Sequence, residues 1–329
     1  MFKDKTILIT GGSGSWGKEL TKQLLEKEPH KIIIYSRGEL AQVEMQRHFN
    51  GSQIEYVIGD IRDAGAVDRL FRRGLDIVFH LAALKHVPVC ENQPQEACKT
   101  NINGTSHLVN AAVRYKIEKF IDVSTDKAVA PTNLYGFTKA VGEKLTIQAN
   151  NLTKETDFVC IRGGNVLGSN GSVVPLFIDQ IKTKNKITLT NGSMTRYFLT
   201  LPQAIHLLFQ AATESVGGET YVMNMPSFHI SDVAKVLIDH YGNKETVIEE
   251  IGIREGEKFD EELISIHEAS RSYKFGDNYY IILPDIHINR DYRYVKSLEK
   301  FAGDRFSSAD NVRDAEYLEG LLNKGGFLS

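Results

Sequence analysis

The chain has 329 residues, 42% hydrophobic and 25% charged, enough for one large or two smaller domains with a substantial core. Its net charge of −3 excludes the basic footprint of a nucleic-acid binder. No run of about 18 apolar residues is present to cross a membrane.

Three cysteines, Cys90, Cys98 and Cys160, make neither a disulfide framework nor a zinc spacing. That pattern predicts a reducing compartment and no metal. Met1 leads straight into an apolar run without the core of a signal peptide, so the cytoplasm is the expected location.

The first strand is expected over Thr6–Thr10, and Thr10-Gly11-Gly12-Ser13-Gly14-Ser15-Trp16-Gly17 follows it. Glycines allow a tight turn and let the main chain approach a pyrophosphate, and a helix over 18–27 would offer the anion its positive end. This strand–loop–helix order predicts dinucleotide binding. A second strand, Ile32 to Tyr35, ends in Ser36-Arg37. An NAD site usually places a carboxylate there. A cation beside a small hydroxyl suits a 2′-phosphate, so NADP is the expected cofactor.

A helix over 39–49 and a strand at Tyr56-Val57-Ile58 come next, ending in Gly59-Asp60-Ile61. Asp60 is a candidate for the adenine amine, or for the cap of the helix Ala64–Phe71. The fourth strand, Ile77-Val78-Phe79, is followed by the small residues Leu81-Ala82-Ala83, which leave room for a cofactor. A fifth strand, Phe120 to Val123, leads into Ser124-Thr125, and a sixth is expected at Asp157 to Ile161. Continuous β-branched runs alternating with amphipathic helices predict an α/β fold with a doubly wound parallel (Rossmann) sheet.

Beyond it the alternation fades. Residues 163–175 read as a loop, 202–212 as helix, Thr220 to Met225 as strand, and 231–240 as a helix capped by Ser231. The tail from about Arg271 gives no clear elements. The division expected is an NADP-binding domain over 1–162 and a substrate-binding region over 163–329, with a soft boundary and some later segments returning to the first domain.

Tyr135 and Lys139 stand four residues apart and share a helix face. A phenol titrates near about 10. A neighbouring ammonium and an oxidised nicotinamide favour its phenolate, which makes Tyr135 a base for a sugar hydroxyl. Lys139 is also expected to hold the nicotinamide ribose. Just upstream, Asp126-Lys127 supplies an acid and a base, a second kind of chemistry.

With the glycine loop, these residues resemble the extended short-chain dehydrogenase/reductase family. Ala83-Leu84-Lys85-His86-Val87-Pro88, Ser124-Thr125-Asp126-Lys127-Ala128 and Leu134-Tyr135-Gly136 resemble, more closely, the bacterial UDP-N-acetylglucosamine 4,6-dehydratases of flagellin-sugar (pseudaminic acid) and capsule pathways. Gly164-Asn165-Val166-Leu167-Gly168, Met194-Thr195-Arg196-Tyr197-Phe198, Gly252 to Lys258 and Ser307 to Asn311 extend the likeness over nearly the whole chain.

The resemblance implies C4 oxidation, loss of C5–H and the C6 hydroxyl, and return of hydride to C6, with inversion at C5. Thr125, Asp126, Lys127, Tyr135 and Lys139 would form the catalytic set. Asp126 would protonate the departing C6 hydroxyl. Lys127 would take the C5 proton as a neutral amine, with burial and nearby cations lowering its pKa against the pull of Asp126. Ser124 and Lys85 would touch the cofactor. Lys85, Thr125, Asn165, Val174, Arg196, Arg254 and Glu257 would touch a UDP-sugar, the arginines on its diphosphate. Homo-oligomers are implied as well.

Relatives read Arg-Tyr-Gly-Asn where this chain reads Arg162-Gly163-Gly164-Asn165, a change expected to enlarge the sugar pocket. Three alternatives stand beside this reading. A retaining dehydratase differs in product configuration, and a 4-epimerase has no use for Asp126 and Lys127. An NADP-binding scaffold without turnover is disfavoured by the intact Tyr, Lys, Asp and Lys set.

Overall fold

The computed structural model describes residues 1–169 and 171–328. The six apolar runs form parallel strands: β1 Thr6–Thr10, β2 Lys31–Ser36, β3 Ile54–Ile58, β4 Ile77–His80, β5 Lys119–Thr125 and β6 Asp157–Gly163. Three later strands join them: β7 Thr220–Met223, β8 Ser272–Phe275 and β9 Tyr279–Ile282. The sheet order is β8-β9-β7-β6-β5-β4-β1-β2-β3. β7 lies parallel to β6, whereas β9 and β8 run antiparallel at that edge.

Helices on both faces explain the unbroken apolar runs. Ile7 and Ile9 pack towards Leu20, Leu24, Leu207 and Leu208 of helices Ser15–Leu25 and Leu201–Glu214. Leu8 points the other way, to Val67, Leu70, Leu108 and Ala112 of helices Ala64–Phe71 and Thr105–Tyr115. Strand order reverses beside β1, between β2 and β4, and such a switch point opens a crevice at the strand ends. Register sets Thr10 opposite His80 and Thr125 opposite Gly163 at that end.

A separate core fills the region over the crevice. Phe177, Ile181, Leu189, Phe198, Val233 and Leu237 close against Leu318 and Leu322. Here the sequence reading needs correction. β6 runs through Gly163, and Asn165–Val166 pairs with Thr195–Leu199. A helix then begins at Val173, with Pro175 in its first turn, where the missing N–H breaks no helical bond. The expected 163–175 loop also contains Asn170, which lies outside the described residues. Ser231 is not a cap: the helix is Ile230–Tyr241, its N-cap is His229, and the Ser231 N–H donates to the Gly192 carbonyl at 3.0 Å. The unplaced tail supplies the β8–β9 hairpin, which turns at Gly276 with φ 61°.

Arg162 ties these parts together. Its guanidinium donates to both carboxylate oxygens of Glu143 and of Glu268 at 2.8–3.0 Å, and all three side chains are buried.

Candidate active site

A cavity of about 1050 Å³ opens at the strand ends. The glycine loop forms one end of it. Gly11 has φ +67°, and a Cβ there would meet the Ala82 main chain at 2.9 Å. A Cβ on Gly17 would stand 2.2 Å from the Gly12 carbonyl oxygen. Bare main chain therefore lines this end, and Gly11, Gly14, Ser15, Trp16 and Gly17 face the cavity with Leu81, Ala82 and Ala83. The first turn of the Ser15–Leu25 helix points its positive end into the same space. Ser124 faces the cavity, and its buried Oγ has no partner among the described residues. This cradle fits a dinucleotide.

Thr10 and Gly12 shape the loop from behind. The Thr10 hydroxyl bonds His80 Nδ1 at 2.8 Å, and Thr105 bonds the other ring nitrogen at 2.9 Å. Burial pushes the His80 pKa down to about 4, so the ring is a neutral strut. At the β2 end, Ser36 Oγ meets Ser13 Oγ at 2.9 Å and accepts from Gln42 Nε2 at 2.9 Å. Arg37 lies 3.9 Å from Asp60. Burial disfavours the Asp60 carboxylate, but hydrogen bonds from Arg62 and the charges of Arg62 and Arg37 outweigh it and hold its pKa low. Asp60 does not cap the next helix, because Asp63 does. Ile61 packs in the core against Val67 and Leu70.

The chemical centre follows β5. The Thr125 side chain accepts from the Lys127 N–H and caps the turn Asp126–Ala128, which sets Asp126 and Lys127 beside Tyr135. The Leu134–Gln148 helix starts after Asn133, whose side chain accepts from the Gly136 N–H and fixes the entry of Tyr135. Burial raises the Tyr135 pKa, and Lys139, the Thr125 hydroxyl and Lys127 pull against it without prevailing. The phenolate expected from Lys139 is thus not reached by these side chains alone. Lys139 is buried and gives its ammonium to Asp122 Oδ1 at 3.0 Å.

Lys127 holds two partners, Asp126 Oδ1 at 3.1 Å and Glu261 Oε1 at 3.1 Å. Burial pulls its pKa down, but the charges of Asp126 and Glu261 overcome this and the net shift is upward. The lowered pKa expected from the sequence is therefore corrected, because a second carboxylate faces the amine. Lys127 and Glu261 line the cavity, whereas Asp126 is sealed at 1% exposure.

On the sugar side, Lys85, Asn165, Arg196, Arg254 and Glu257 line the cavity with Thr125. Arg196 is buried and already braces the neighbouring loop, donating to the carbonyls of Thr195, Lys258 and Phe259 at 2.7–2.9 Å. Val174 is corrected: it is fully buried in the overlying core, and Val173 faces the cavity. The enlarged pocket expected from Gly163 is not open space either, since the Trp16 ring stands 3.4 Å from where a Gly163 Cβ would be. Gly164 has no room for a side chain, with Tyr197 Cβ 2.5 Å away.

Sequence reasoning missed Glu261 and Asp122. Glu261 sits in Asp260-Glu261-Glu262, a run that reads as solvated, and Asp122 reads as a polar break within a strand. Their only signal is the cation each meets across the fold.

Fold and site together define the extended short-chain dehydrogenase/reductase class. Within it, the chain belongs to the family of polysaccharide biosynthesis proteins, which it matches over residues 7–283. It is 44% identical over 290 residues to a UDP-N-acetylglucosamine 4,6-dehydratase (inverting) of Campylobacter jejuni, covering 87% of this chain and 85% of the relative. A UDP-glucose 4-epimerase of Rickettsia canadensis is 38% identical, covering 92% and 90%. An uncharacterized membrane protein of Methanocaldococcus jannaschii is 43% identical, covering 86% and 87%. No helix among the described residues of this chain is long and apolar enough to span a membrane. The X-ray structure of Pen from Bacillus thuringiensis superimposes with a TM-score of 0.93 at 37% identity, covering all of both chains.

Proposed function

We propose that this protein is an NADP-dependent UDP-N-acetylglucosamine 4,6-dehydratase that inverts C5. The observation that carries the reading is the placement of Lys127, at the cavity wall beside Asp126 on the turn that follows Thr125 and next to Tyr135. A nicotinamide held in the glycine-loop cradle beside Tyr135 and Lys139 would supply the hydride chemistry at sugar C4 and C6.

The side chains manage protons. Tyr135 takes the C4 hydroxyl proton, helped by Lys139 and Lys127, whose charges already favour its phenolate. The new ketone acidifies C5–H, and Lys127 takes that proton. Asp126 supplies the proton for the departing C6 hydroxyl through Thr125, which lines the cavity and hydrogen-bonds Asp126 Oδ1 at 2.8 Å. Thr125 accepts the Lys127 N–H at 3.4 Å and donates to Asp126 Oδ1 at 2.8 Å, so it orients the pair.

Ser13, Ser36 and Arg37 form the proposed 2′-phosphate contact, and Arg254 and Glu257 the contact to a UDP diphosphate and ribose. Free Cys90, Cys98 and Cys160 suit a reducing cytoplasm. Exposed Phe137 and Val141, one turn apart on the Leu134–Gln148 helix, support self-association.

The test is incubation with UDP-N-acetylglucosamine and NADP in heavy water, read by NMR and mass spectrometry. Loss of one water, solvent deuterium at C5 and the inverted configuration are expected. An unchanged substrate mass overturns the reading. The Rickettsia relative favours a second reading, a 4-epimerase, and Lys127→Ala separates the two because an epimerase keeps its activity.

A further inference from the structure

The reaction proposed above requires Lys127 to shed a proton before it can act, and the cavity wall contains a group placed to receive it. Glu261 follows the loop that Arg196 braces. Its main chain is fixed by Ser308, whose Oγ accepts from the Glu261 N–H at 2.9 Å and whose N–H donates to the Glu261 carbonyl at 2.8 Å. The carboxylate is therefore held in place although it faces the cavity. Oε1 stands 3.1 Å from Lys127 Nζ and 3.9 Å from Arg196 Nε, and Oε2 stands 3.9 Å from Lys258 Nζ. Only 2% of the residue is exposed, and Oε2 has no hydrogen-bond partner among the described residues. A buried carboxylate oxygen without a donor has spare capacity to carry a proton.

Asp126 is assigned the other proton, the one given to the departing C6 hydroxyl. Its Oδ1 is engaged by Thr125 and Lys127, and its Oδ2, like Glu261 Oε2, is buried without a partner among the described residues. With that proton held on Asp126, Glu261 is the remaining carboxylate in contact with the amine.

We propose that Glu261 is the proton store of Lys127, taking the ammonium proton to free the amine for C5–H and giving it back when the cycle closes. This deepens the dehydratase reading and rests on it. An Nζ–H bond breaks and an Oε1–H bond forms, leaving an electron pair on Nζ. That pair takes the C5 proton, so Lys127 is an ammonium again while the departing hydroxyl leaves as water with the Asp126 proton. When C5 is re-protonated, a solvent water supplies the hydrogen and the hydroxide left behind takes the proton held on the Glu261 carboxyl. Asp126 regains the proton that Tyr135 took from the C4 hydroxyl, and every group ends in its starting state. Glu261 acts through Lys127, so it is a positioning residue with a proton-holding role.

The deciding variant is Glu261→Gln, which keeps shape and loses the proton acceptor. Full-length wild type and variant are supplied with UDP-N-acetylglucosamine and NADP in heavy water. NADPH absorbance reads the C4 step, and NMR reads deuterium at C5. In the variant, C5 incorporation is expected to fall about 100-fold, while NADPH still forms. A carboxylate that only charges Lys127 gives the opposite result, since its removal frees the amine. Equal or faster C5 incorporation in the variant therefore overturns the proposal.

If Glu261→Gln does not fold, Glu261→Asp decides on the same ratio. Its shorter arm withdraws the carboxylate from Lys127, so a fall in C5 incorporation with NADPH formation retained supports the store, and an unchanged ratio overturns it. A wild type that releases no water from the substrate sinks the dehydratase reading itself, a result distinct from either.

Discussion

The two ends of the cavity present different surfaces to a ligand. At the dinucleotide end the wall is main chain, exposed because Gly11, Gly14 and Gly17 carry nothing. At the sugar end it is charge, with Lys127, Arg196, Arg254, Glu257 and Glu261 converging from distant segments. The first surface fails when a side chain is added. The second fails when one is removed. Binding and chemistry are thus built from opposite resources in one cavity.

The sharpest test removes a side chain from the charged end. Lys127→Ala is expected to cut dehydration about 1000-fold while C4 oxidation persists, seen as NADPH absorbance without C5 deuterium. Loss of both steps together would break the division of labour between Lys127 and Tyr135.

Acid probes the main-chain end, where His80 supports Thr10 from behind. Its folded pKa of about 4 lies below the ordinary 6.5, so the unfolded chain binds a proton that the folded one refuses. The associated stability is complete above the ordinary value and is lost as pH falls towards the folded one. The loss is on the order of 3 kcal/mol. Urea midpoints across that window should fall, and His80→Gln should flatten the slope.

Gly17→Ala adds a single methyl group where the Gly12 carbonyl stands 2.2 Å away. A cost of about 2 kcal/mol and weaker NADP binding by calorimetry are expected. At the same end, losing a side chain should matter least. Arg37 is half-exposed and shared with Asp60. Arg37→Ala should reduce the preference for NADP over NAD about tenfold, roughly 1.4 kcal/mol, with little change in turnover of the saturated enzyme. An unchanged preference would move the 2′-phosphate contact away from β2.

The same contrast explains what the sequence made legible. β1 to β6 and the glycine loop are contiguous features whose local chemistry sets their geometry, and the structure places them within a few residues of expectation. Tyr135 and Lys139 share a helix, so spacing alone joins them. Glu261 approaches Lys127 only because the turn Asp126–Ala128 and the strand Glu262–Ile264 meet in space, and 134 positions separate the two residues. The upward shift of Lys127 was hidden for the same reason. Val173–Lys184 was missed because Gly171, Ser172 and Pro175 carry turn signals, and a proline in a first turn is equally compatible with a helix. The expected vacancy at Gly163 required knowing where the Trp16 ring points, which motif reading does not give.

The chain contains a single tryptophan, Trp16, which lines the cavity from the glycine loop with its ring 3.4 Å from where a Gly163 Cβ would be. Its indole emission is consequently an internal gauge of occupancy. Filling either end changes the polarity around one fluorophore, with no second emitter of its kind to dilute the signal. The protein can report the order in which its ligands arrive without any added label.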